Sequence, residues 1–305
     1  MLGTVLVPLD GSGFAEAALP IAKQLVGRAG GRLYLATADQ PSPALIGAGE
    51  VTTAFDALGK ECRVEDESYL VKTAAMLGTV GEGTVRVSLL QGPVGEAICE
   101  EAGRIGADLI VMSTHGRNAM GRALLGGVAD YVVRHADRPV LLVKPLPMAD
   151  GPADRPIRNI LVPLDPSNYS EAILESVLTL VRILRARMTL LTIVAPRFGI
   201  AEPELPPPAP QHPTIVARRS DEAHARLDRL AKLYGLLGID VRTRVVVAGT
   251  PAAGILDVLA EEGFDMVALA THGAAGLRRV LAGSVADKVI RGSRKPVLVH
   301  HPVAP

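Results

Sequence analysis

The sequence predicts an α/β protein built from two tandem, doubly wound parallel sheets of five strands each, with helices on both faces. Three observations predict this fold. Short, nearly continuous apolar runs alternate with stretches of helical period, as in parallel strands that are buried on both faces. The alternating pattern occurs twice within 305 residues. Hydrophobic residues make up 48% of the chain, which is enough for two cores of ordinary size.

The duplication rests on three motifs that recur in the same order at almost constant spacing. TVLVPLD at 4–10 recurs as NILVPLD at 159–165, ADLIVMSTHG at 107–116 recurs as FDMVALATHG at 264–273, and RPVLLV at 138–143 recurs as KPVLVH at 295–300. Prolines, a glycine and charges separate the copies, as in a linker. We therefore expect a first domain at 1–146, a linker at 147–156 and a second domain at 157–305.

The elements of the first copy follow from the apolar runs and the helix signals. Its strands are predicted at 4–9, 32–38, 85–90, 109–113 and 140–144. Its helices are predicted after the N-cap Ser12, around 69–79, from Pro93, and at 124–136. In the second copy a helix is predicted at 217–237, after a proline-rich stretch at 203–213 that cannot be helical throughout.

Composition narrows the class of partner. Lys plus Arg and Asp plus Glu number 32 each, so no net field draws the chain to nucleic acid or to an anionic membrane. With no Trp and 3% aromatic residues, there is little on which unpaired bases could stack. The start lacks a secretory pattern, charges interrupt the most apolar region, and Cys62 and Cys99 form no redox pair. We expect a cytoplasmic protein that binds neither nucleic acid nor membrane.

Repeated glycines indicate where a ligand binds. In open α/β sheets the ligand crevice lies at the carboxyl ends of the strands, where Asp10, Asp165 and both Thr-His-Gly turns fall. Each turn is followed by a second pair of small residues directly before a helix predicted at 128–135 or 285–291. A helix N-terminus behind small residues offers free N–H groups and partial positive charge to a phosphate. The residues concerned are Gly116, Gly126, Gly127 and Val128 in copy one, and Gly273, Gly283, Ser284 and Val285 in copy two.

On these residues the chain resembles a tandem universal stress protein over nearly its full length. That resemblance implies an adenine nucleotide alpha hydrolase-like domain, a Rossmann-like three-layer fold. The ATP-binding branch of the family carries Gly-x2-Gly-x9-Gly-[Ser/Thr]. Copy one has Ser113 and Gly127 where the motif has its first glycine and its hydroxyl, and copy two has Ala270 at the first position but keeps Ser284. A side chain at the first position would crowd the phosphates if that backbone needed a positive φ. Because Ser284 keeps the hydroxyl that Gly127 lacks, copy two is predicted to be the better ATP site.

The resemblance also implies further ligand contacts and an assembly. Asp10 and Asp165 would contact the nucleoside end, and backbone near Thr37 and Ile193 would line the adenine pocket. The implied ligand is ATP, with or without Mg²⁺. The last strand of each copy would pair with the other to form a pseudo-dimer within one chain, and a homodimer of chains stays open.

Several of these residues have structural alternatives. Asp10 and Asp165 are equally suited to capping the following helices. His115 and His272 have no ligand or base at a suitable spacing and are interpreted as hydrogen-bonded turn residues, so we predict no catalytic and no metal-binding residues. Arg278 and Arg279 fit a solvated face better than a role in screening phosphate charge. The stretch 11–16 lacks the third glycine of a dinucleotide fingerprint, which argues against a dehydrogenase.

Three functions are compatible with the sequence. The first is a stress-response regulatory protein that binds ATP in one or both domains with little or no catalysis, because no nucleophile–base pair and no Walker lysine is visible. Weak ATP hydrolysis stays open. The second is an interaction scaffold that has kept the fold and lost the ligand, which the departures at Ser113, Ala270 and Gly127 motivate. An adenylating ligase ranks last, because its Ser-Gly-Gly-x-Asp-Ser loop is missing.

Overall fold

The structure is a computed structural model that describes residues 2–38, 52–81, 83–116, 125–145, 156–196, 213–261, 263–271 and 284–300. Within these ranges the side chains at 52–62, 84, 168 and 169 are not described. The chain divides into two compact units, residues 1–155 and 156–305. The predicted Pro-rich arm lies outside the described residues, apart from Pro213.

The first unit is a parallel sheet with strand order β7-β6-β1-β2-β5. Its elements are β1 (Thr4–Pro8), α1 (Gly13–Glu16), α2 (Leu19–Ala29), β2 (Arg32–Ala38), α3 (Thr52–Leu77), β3 (Thr79–Val80), β4 (Gly83–Thr84), β5 (Arg86–Leu90), α4 (Val94–Arg104), β6 (Leu109–Ser113), α5 (Gly127–His135) and β7 (Val140–Val143). The short strands β3 and β4 pair antiparallel beside the main sheet.

The second unit repeats this order as β12-β11-β8-β9-β10, again parallel. Its elements are β8 (Asn159–Pro163), a 3-10 turn (Asn168–Ala172), α6 (Ile173–Leu184), β9 (Arg187–Val194), α7 (Pro213–Leu236), β10 (Val241–Val247), α8 (Pro251–Ala260), β11 (Met266–Ala270), α9 (Ser284–Gly292) and β12 (Val297–His300). The predicted doubly wound fold in two tandem copies is confirmed.

Burial explains why the apolar runs became central strands. Val5, Leu6 and Val7 of β1 are fully buried, and so are Ile110 and Val111 of β6. Side chains of one strand point alternately to opposite faces, so burial of consecutive residues requires cover on both faces. The chain leaves β1 toward β2 on one side and reaches β6 on the other, which makes the β1–β6 border the switch point of the sheet.

An aspartate at the start of β6 ties that strand to β1. Asp108 Oδ2 accepts hydrogen bonds from the backbone nitrogens of Gly3, at 2.7 Å, and Thr4, at 2.9 Å. In the second unit Asp265 Oδ2 accepts from Arg158 and Asn159 at 2.8 and 2.9 Å. A carboxylate that accepts two backbone N–H groups is a strong, directional link. This contact explains why the repeated motif before each Thr-His-Gly turn contains an aspartate.

Some predicted boundaries were wrong. Helix α3 begins at Thr52 and ends at Leu77, and the predicted 69–79 segment is only its last part followed by β3. Gly78 and Gly81 adopt left-handed φ values of 68° and 63°, which turns the chain into the β3–β4 hairpin. Helix α5 begins at Gly127, because Gly126 is its N-cap. Helix α7 begins four residues earlier than predicted, at Pro213, since proline is well tolerated in a first turn.

Candidate functional site

A cleft of about 520 Å³ opens at the carboxyl ends of β1, β2 and β6 in the first unit. It brings together every ligand-binding residue that the sequence predicts for copy one, which are Asp10, Thr37, Ser113, Gly116, Gly126, Gly127 and Val128. Apolar side chains complete part of the wall, namely Leu90, Val94, Ile98 and Met112. The cleft therefore combines a polar loop with an apolar side, as small-molecule sites commonly do.

The turn after β1 is braced by Asp10. Its Oδ1 accepts hydrogen bonds from the backbone nitrogen of Ser12 at 3.0 Å and from the Ser12 hydroxyl at 2.6 Å. The Ser12 hydroxyl oxygen in turn accepts from the backbone nitrogen of Ala15 at 3.2 Å, so Ser12 is the N-cap of α1, as predicted. Asp165 makes the same pair of contacts with Ser167. The aspartates thus support the turn that carries the cap and do not cap a helix themselves.

The loop after β6 approaches Asp10 so closely that any side chain at residue 116 would have to displace the Asp10 carboxylate. A β-carbon built on Gly116 would lie 2.2 Å from Asp10 Oδ2. The other end of the loop closes on Thr114, whose carbonyl oxygen accepts a hydrogen bond of 2.9 Å from the backbone nitrogen of Gly126. A β-carbon on Gly126 would lie 3.1 Å from that same oxygen. The spacing of the two glycines is therefore a packing requirement of this site.

Helix α5 begins at the cleft, and its N-cap residue, Gly126, has no side chain with which to cap it. Its N-cap Gly126 has extended backbone, and Gly127 and Val128 form the exposed start of the first turn. The first N–H groups of a helix have no partner within the helix and carry partial positive charge. This end of the cleft can therefore bind a phosphate or another anion.

The two residues that replace the first glycine of the motif are compatible with the backbone. Ser113 and Ala270 are the last residues of β6 and β11, and neither has a positive φ. The crowding that a left-handed conformation would cause does not arise. The Ser113 hydroxyl oxygen accepts a hydrogen bond of 3.3 Å from the backbone nitrogen of His115. At Gly127 a β-carbon would meet nothing within 4 Å among the described atoms.

His115 is held in the turn as predicted, but by one nitrogen only. Its Nδ1 lies 2.8 Å from the Thr114 hydroxyl oxygen. Its Nε2 is buried and has no hydrogen-bond partner among the residues described. Within the same residues there is no group of three or more His, Cys, Asp or Glu side chains placed to hold a metal ion.

Only part of the second unit's predicted site is described. Gly273, Gly283, His272, Arg278 and Arg279 lie outside the described residues. Asp165 ends the turn after β8, Ala270 ends β11, and Ser284 and Val285 begin α9.

Strand register shows that the two residues predicted to line the adenine pockets, Thr37 and Ile193, differ by one position between the copies. Pro8 pairs with Ala36, and Pro163 pairs with Leu191. Thr192 is therefore the counterpart of Thr37, and Ile193 is the counterpart of Ala38. Ile193 packs against α8, where a β-carbon on Gly254 would lie 2.9 Å from its δ-carbon.

Sequence reasoning missed a clamp between the long helix and the aspartate turn of each unit. In the second unit Arg226 of α7 donates to the backbone carbonyls of Asp165 and Ser167 and, at 2.7 Å, to the Glu171 carboxylate. In the first unit the Tyr69 hydroxyl of α3 donates to Glu16 at 2.9 Å. The two glutamates stand at the same distance after their aspartates, which is a signal that the sequence did contain.

The Tyr69 clamp is partly buried, and this affects its chemistry. Burial, together with the hydrogen bond to Glu16 and the charge of that carboxylate, raises the pKa of Tyr69 well above its usual range. The phenol therefore stays protonated and keeps donating to Glu16 throughout the physiological range.

Two acidic side chains at the cleft were also missed. Glu65 and Asp66 of α3 are among the residues that line the cleft. Charged residues on a helix are usually part of a solvated face, so nothing in the local sequence distinguishes them.

The fold and the cleft define a tandem α/β protein with an open cleft at the switch point of its first sheet. The chain belongs to the universal stress protein family, whose family model matches residues 1–144 and 156–301.

Relatives and solved structures agree with this assignment. A universal stress protein of Thermus aquaticus, described as lying in the QAH/OAS sulfhydrylase 3′ region, is 35% identical over 144 residues, which is 47% of this chain and 100% of that protein. Universal stress protein MJ0577 of Methanocaldococcus jannaschii is 34% identical over 80 residues, 26% of this chain and 49% of that protein. The crystal structure of a universal stress protein from Archaeoglobus fulgidus covers 99% of both chains with a TM-score of 0.67 and 18% identity, which shows the shared fold.

Among the described helices, none combines the length and the apolar character needed to cross a membrane.

Proposed function

We propose that this chain is a stress-response regulatory protein that binds ATP, with little or no catalysis. The observation that carries the proposal is the convergence, in one cleft of about 520 Å³, of all the copy-one residues that the family's ATP motif selects. Membership of the family supports the stress-response role.

The cleft has suitable chemistry for each end of the nucleotide. The uncapped N-terminus of α5 would receive the phosphates through the N–H groups of Gly127 and Val128. The nucleoside would extend toward Asp10 and Thr37, where the sheet and the apolar side of the cleft form a wall for the base. Any Mg²⁺ would be held mainly by the phosphates and water, as is usual for this ion.

Low catalytic power is proposed from the sequence, which contains no nucleophile–base pair and no Walker lysine that would accelerate phosphoryl transfer. We therefore propose that the bound nucleotide acts by setting a conformational or assembly state.

Isothermal titration of the purified chain with ATP tests this function. The Gly126→Val variant places its side chain against the Thr114 carbonyl and should abolish binding in the first unit. The control is Gly13→Ala, because a β-carbon there meets no described atom within 4 Å and Gly13 is not among the residues that line the cleft, so binding should stay intact. No heat of binding at millimolar ATP, or equal binding by wild type and Gly126→Val, would contradict the proposal for this unit.

The second candidate is an interaction scaffold of the same fold without a nucleotide. The observation that favours it is Gly127, which lacks the hydroxyl of the family motif in the unit whose cleft is described. Purification without added nucleotide distinguishes the two functions. Adenine nucleotide released on heating the purified protein would exclude the scaffold, and its absence together with a silent titration would favour it.

A further inference from the structure

The outer face of helix α7 carries a stripe of four residues that stand seven apart, namely Ile215, Glu222, Arg229 and Leu236. Residues at this spacing lie on one face of a helix, with a drift of only about 20° per step. All four are exposed, and Leu236 is exposed by 87%. The opposite face of α7 packs on β9 and β10, and Leu227 on that face is fully buried.

The order of these residues makes the stripe complementary to itself. Along the helix it runs apolar, acidic, basic and apolar. If two copies of α7 lie side by side and antiparallel, with a twofold axis midway between Glu222 and Arg229, each residue faces a different residue of the other copy. Ile215 then faces Leu236 of the second copy, and Glu222 faces Arg229 of the second copy. The twofold axis repeats both contacts, as in an isologous interface.

The apolar ends of the stripe are reinforced by neighbouring leucines. Leu233 and Leu237 are 53% and 54% exposed, and they flank Leu236 at the end of α7. An antiparallel second copy would place Ile215, which is 40% exposed, against this group of three leucines. Adjoining exposed apolar side chains of this kind are typical of an interaction surface.

The charged centre of the stripe is reinforced in the same way. Asp221 is exposed beside Glu222, and Lys232 is exposed one turn after Arg229. The acidic half of one helix therefore faces the basic half of the other. Within one chain Glu222 lies 3.7 Å from Arg218, and both side chains are about two-thirds exposed, so this ion pair is weak and leaves Glu222 available to a second copy.

The first unit lacks the apolar end of this stripe. Leu70 of α3 and Leu227 of α7 are both buried and stand at the same offset as the two Thr-His-Gly turns, which aligns the two long helices. The alignment places Thr79 at the position of Leu236, and Thr79 lies in β3, beyond the end of α3. The self-complementary pattern is therefore a property of α7 and not of the duplicated fold.

We propose that this chain forms a twofold-symmetric dimer in which α7 packs antiparallel against α7 of a second copy. The leucines and Ile215 supply the apolar contacts at both ends, and the two Glu222–Arg229 ion pairs set the register. Two helices of 24 residues bury an area at the low end of specific interfaces, where complexes are transient. The dimer should therefore dissociate in the micromolar range. This inference does not depend on nucleotide binding.

Sedimentation velocity of the full chain over a series of concentrations tests the dimer. The variants are Glu222→Arg and Arg229→Glu, each of which places like charges opposite each other twice in a homodimer. Each variant should raise the dissociation constant by about tenfold or more. The matched control is Lys72→Glu, which reverses an exposed charge at the position of α3 that aligns with Arg229 and should leave the dimer unchanged.

Mixing the two single variants tests the antiparallel register. In a mixed dimer one chain supplies two arginines and the other supplies two glutamates, so both central pairs are again opposite in charge. An equimolar mixture should dimerise about as well as wild type, and so should the double variant that combines Glu222→Arg with Arg229→Glu. Circular dichroism checks that each chain is folded.

Three results would overturn the inference. They are a wild-type chain that stays monomeric at about 0.1 mM, a dimer that the single variants leave unchanged, and a mixture of folded variants that stays monomeric. Each of these results leaves the proposed function standing, because the titration with ATP measures nucleotide binding separately.

Discussion

Asp10 Oδ2 lies 2.2 Å from the point where a β-carbon of residue 116 would stand, so the carboxylate after β1 and the backbone after β6 meet directly at Gly116. The contact joins the two motifs that the duplication made conspicuous. Asp10 thus has two roles at this site. It holds the turn before α1, and a side chain at residue 116 would have to displace it.

Gly116→Ala should lower ATP affinity at the first unit by tenfold or more, roughly the effect of losing one well-placed polar contact. The added methyl group must push Asp10 away, because it cannot occupy the same space. Titration calorimetry of wild type and variant measures the change. Gly13→Ala is the control, since a β-carbon there meets nothing within 4 Å. Equal affinities of the Gly116→Ala and Gly13→Ala chains would refute this account of Gly116.

Gly127→Ser should raise ATP affinity at the first unit by about threefold to tenfold, the value of one net hydrogen bond. The variant restores the hydroxyl that the family motif carries, at a position where a β-carbon meets none of the described atoms within 4 Å. Gly127→Ala, which fills the same space without a hydroxyl, separates the hydrogen bond from helix propensity. If the serine and alanine chains bind ATP equally well, the hydroxyl has no role in this unit.

Arg226→Ala should lower the free energy of unfolding by about 2 kcal/mol, because it removes the guanidinium that donates to two backbone carbonyls and to the Glu171 carboxylate. Arg226 is well buried, with 19% of its side chain exposed. Urea unfolding followed by circular dichroism measures the change. Arg218→Ala is the control on the same helix, because Arg218 is 71% exposed and its ion pair with Glu222 is long. A loss no greater than that of Arg218→Ala would show that the clamp does not stabilise the fold.

Stability should fall as the pH drops below the ordinary pKa of histidine, through His300. Burial lowers the pKa of His300, and Glu175 opposes this shift only in part. The unfolded chain therefore takes up the proton first as the pH falls, and unfolding becomes easier between the ordinary pKa and the lowered folded value. Above the ordinary pKa both states are neutral at this residue and the effect is absent.

Urea unfolding at a series of pH values from 8 to 5, about a unit and a half either side of the unperturbed histidine pKa, checks this prediction. His300→Gln keeps a polar group near the Ser176 hydroxyl, which lies 3.1 Å from His300 Nδ1, and removes the titration. The glutamine chain should lose less stability than wild type across this range. Identical pH dependence of the two chains would show that His300 does not contribute.

The fold could be predicted from the sequence because duplication and strand burial act through short, local patterns. The strands of the first unit agree with prediction to within one residue at each end. Helix α3 was much harder to predict, because its sequence shows little amphipathic pattern. The β3–β4 hairpin depends on left-handed glycines, whose backbone state a sequence does not display.

The candidate site likewise contains residues that the sequence predicts and residues that it does not. The glycine loop and Asp10 were predictable because they carry repeated, closely constrained motifs, and the structure brings them to one cleft. Glu65 and Asp66 line the cleft because the long helix α3 packs beside it, and no motif predicts them. The contacts of Tyr69 with Glu16 and of Arg226 with Glu171 likewise depend on helix packing. The preference for copy two as the ATP site stays a prediction, since Gly273 and Gly283 lie outside the described residues. The pairing of the last strands of the two copies also stays a prediction.

The central claim is that the first-unit cleft binds ATP through the glycine loop. A crystal structure of the full chain grown with ATP and Mg²⁺ tests it most directly. The account predicts phosphate density against the backbone nitrogens of Gly127 and Val128, with the nucleoside directed toward Asp10 and Thr37. A cleft that holds only solvent at saturating ATP, or a nucleotide bound away from these residues, would contradict it.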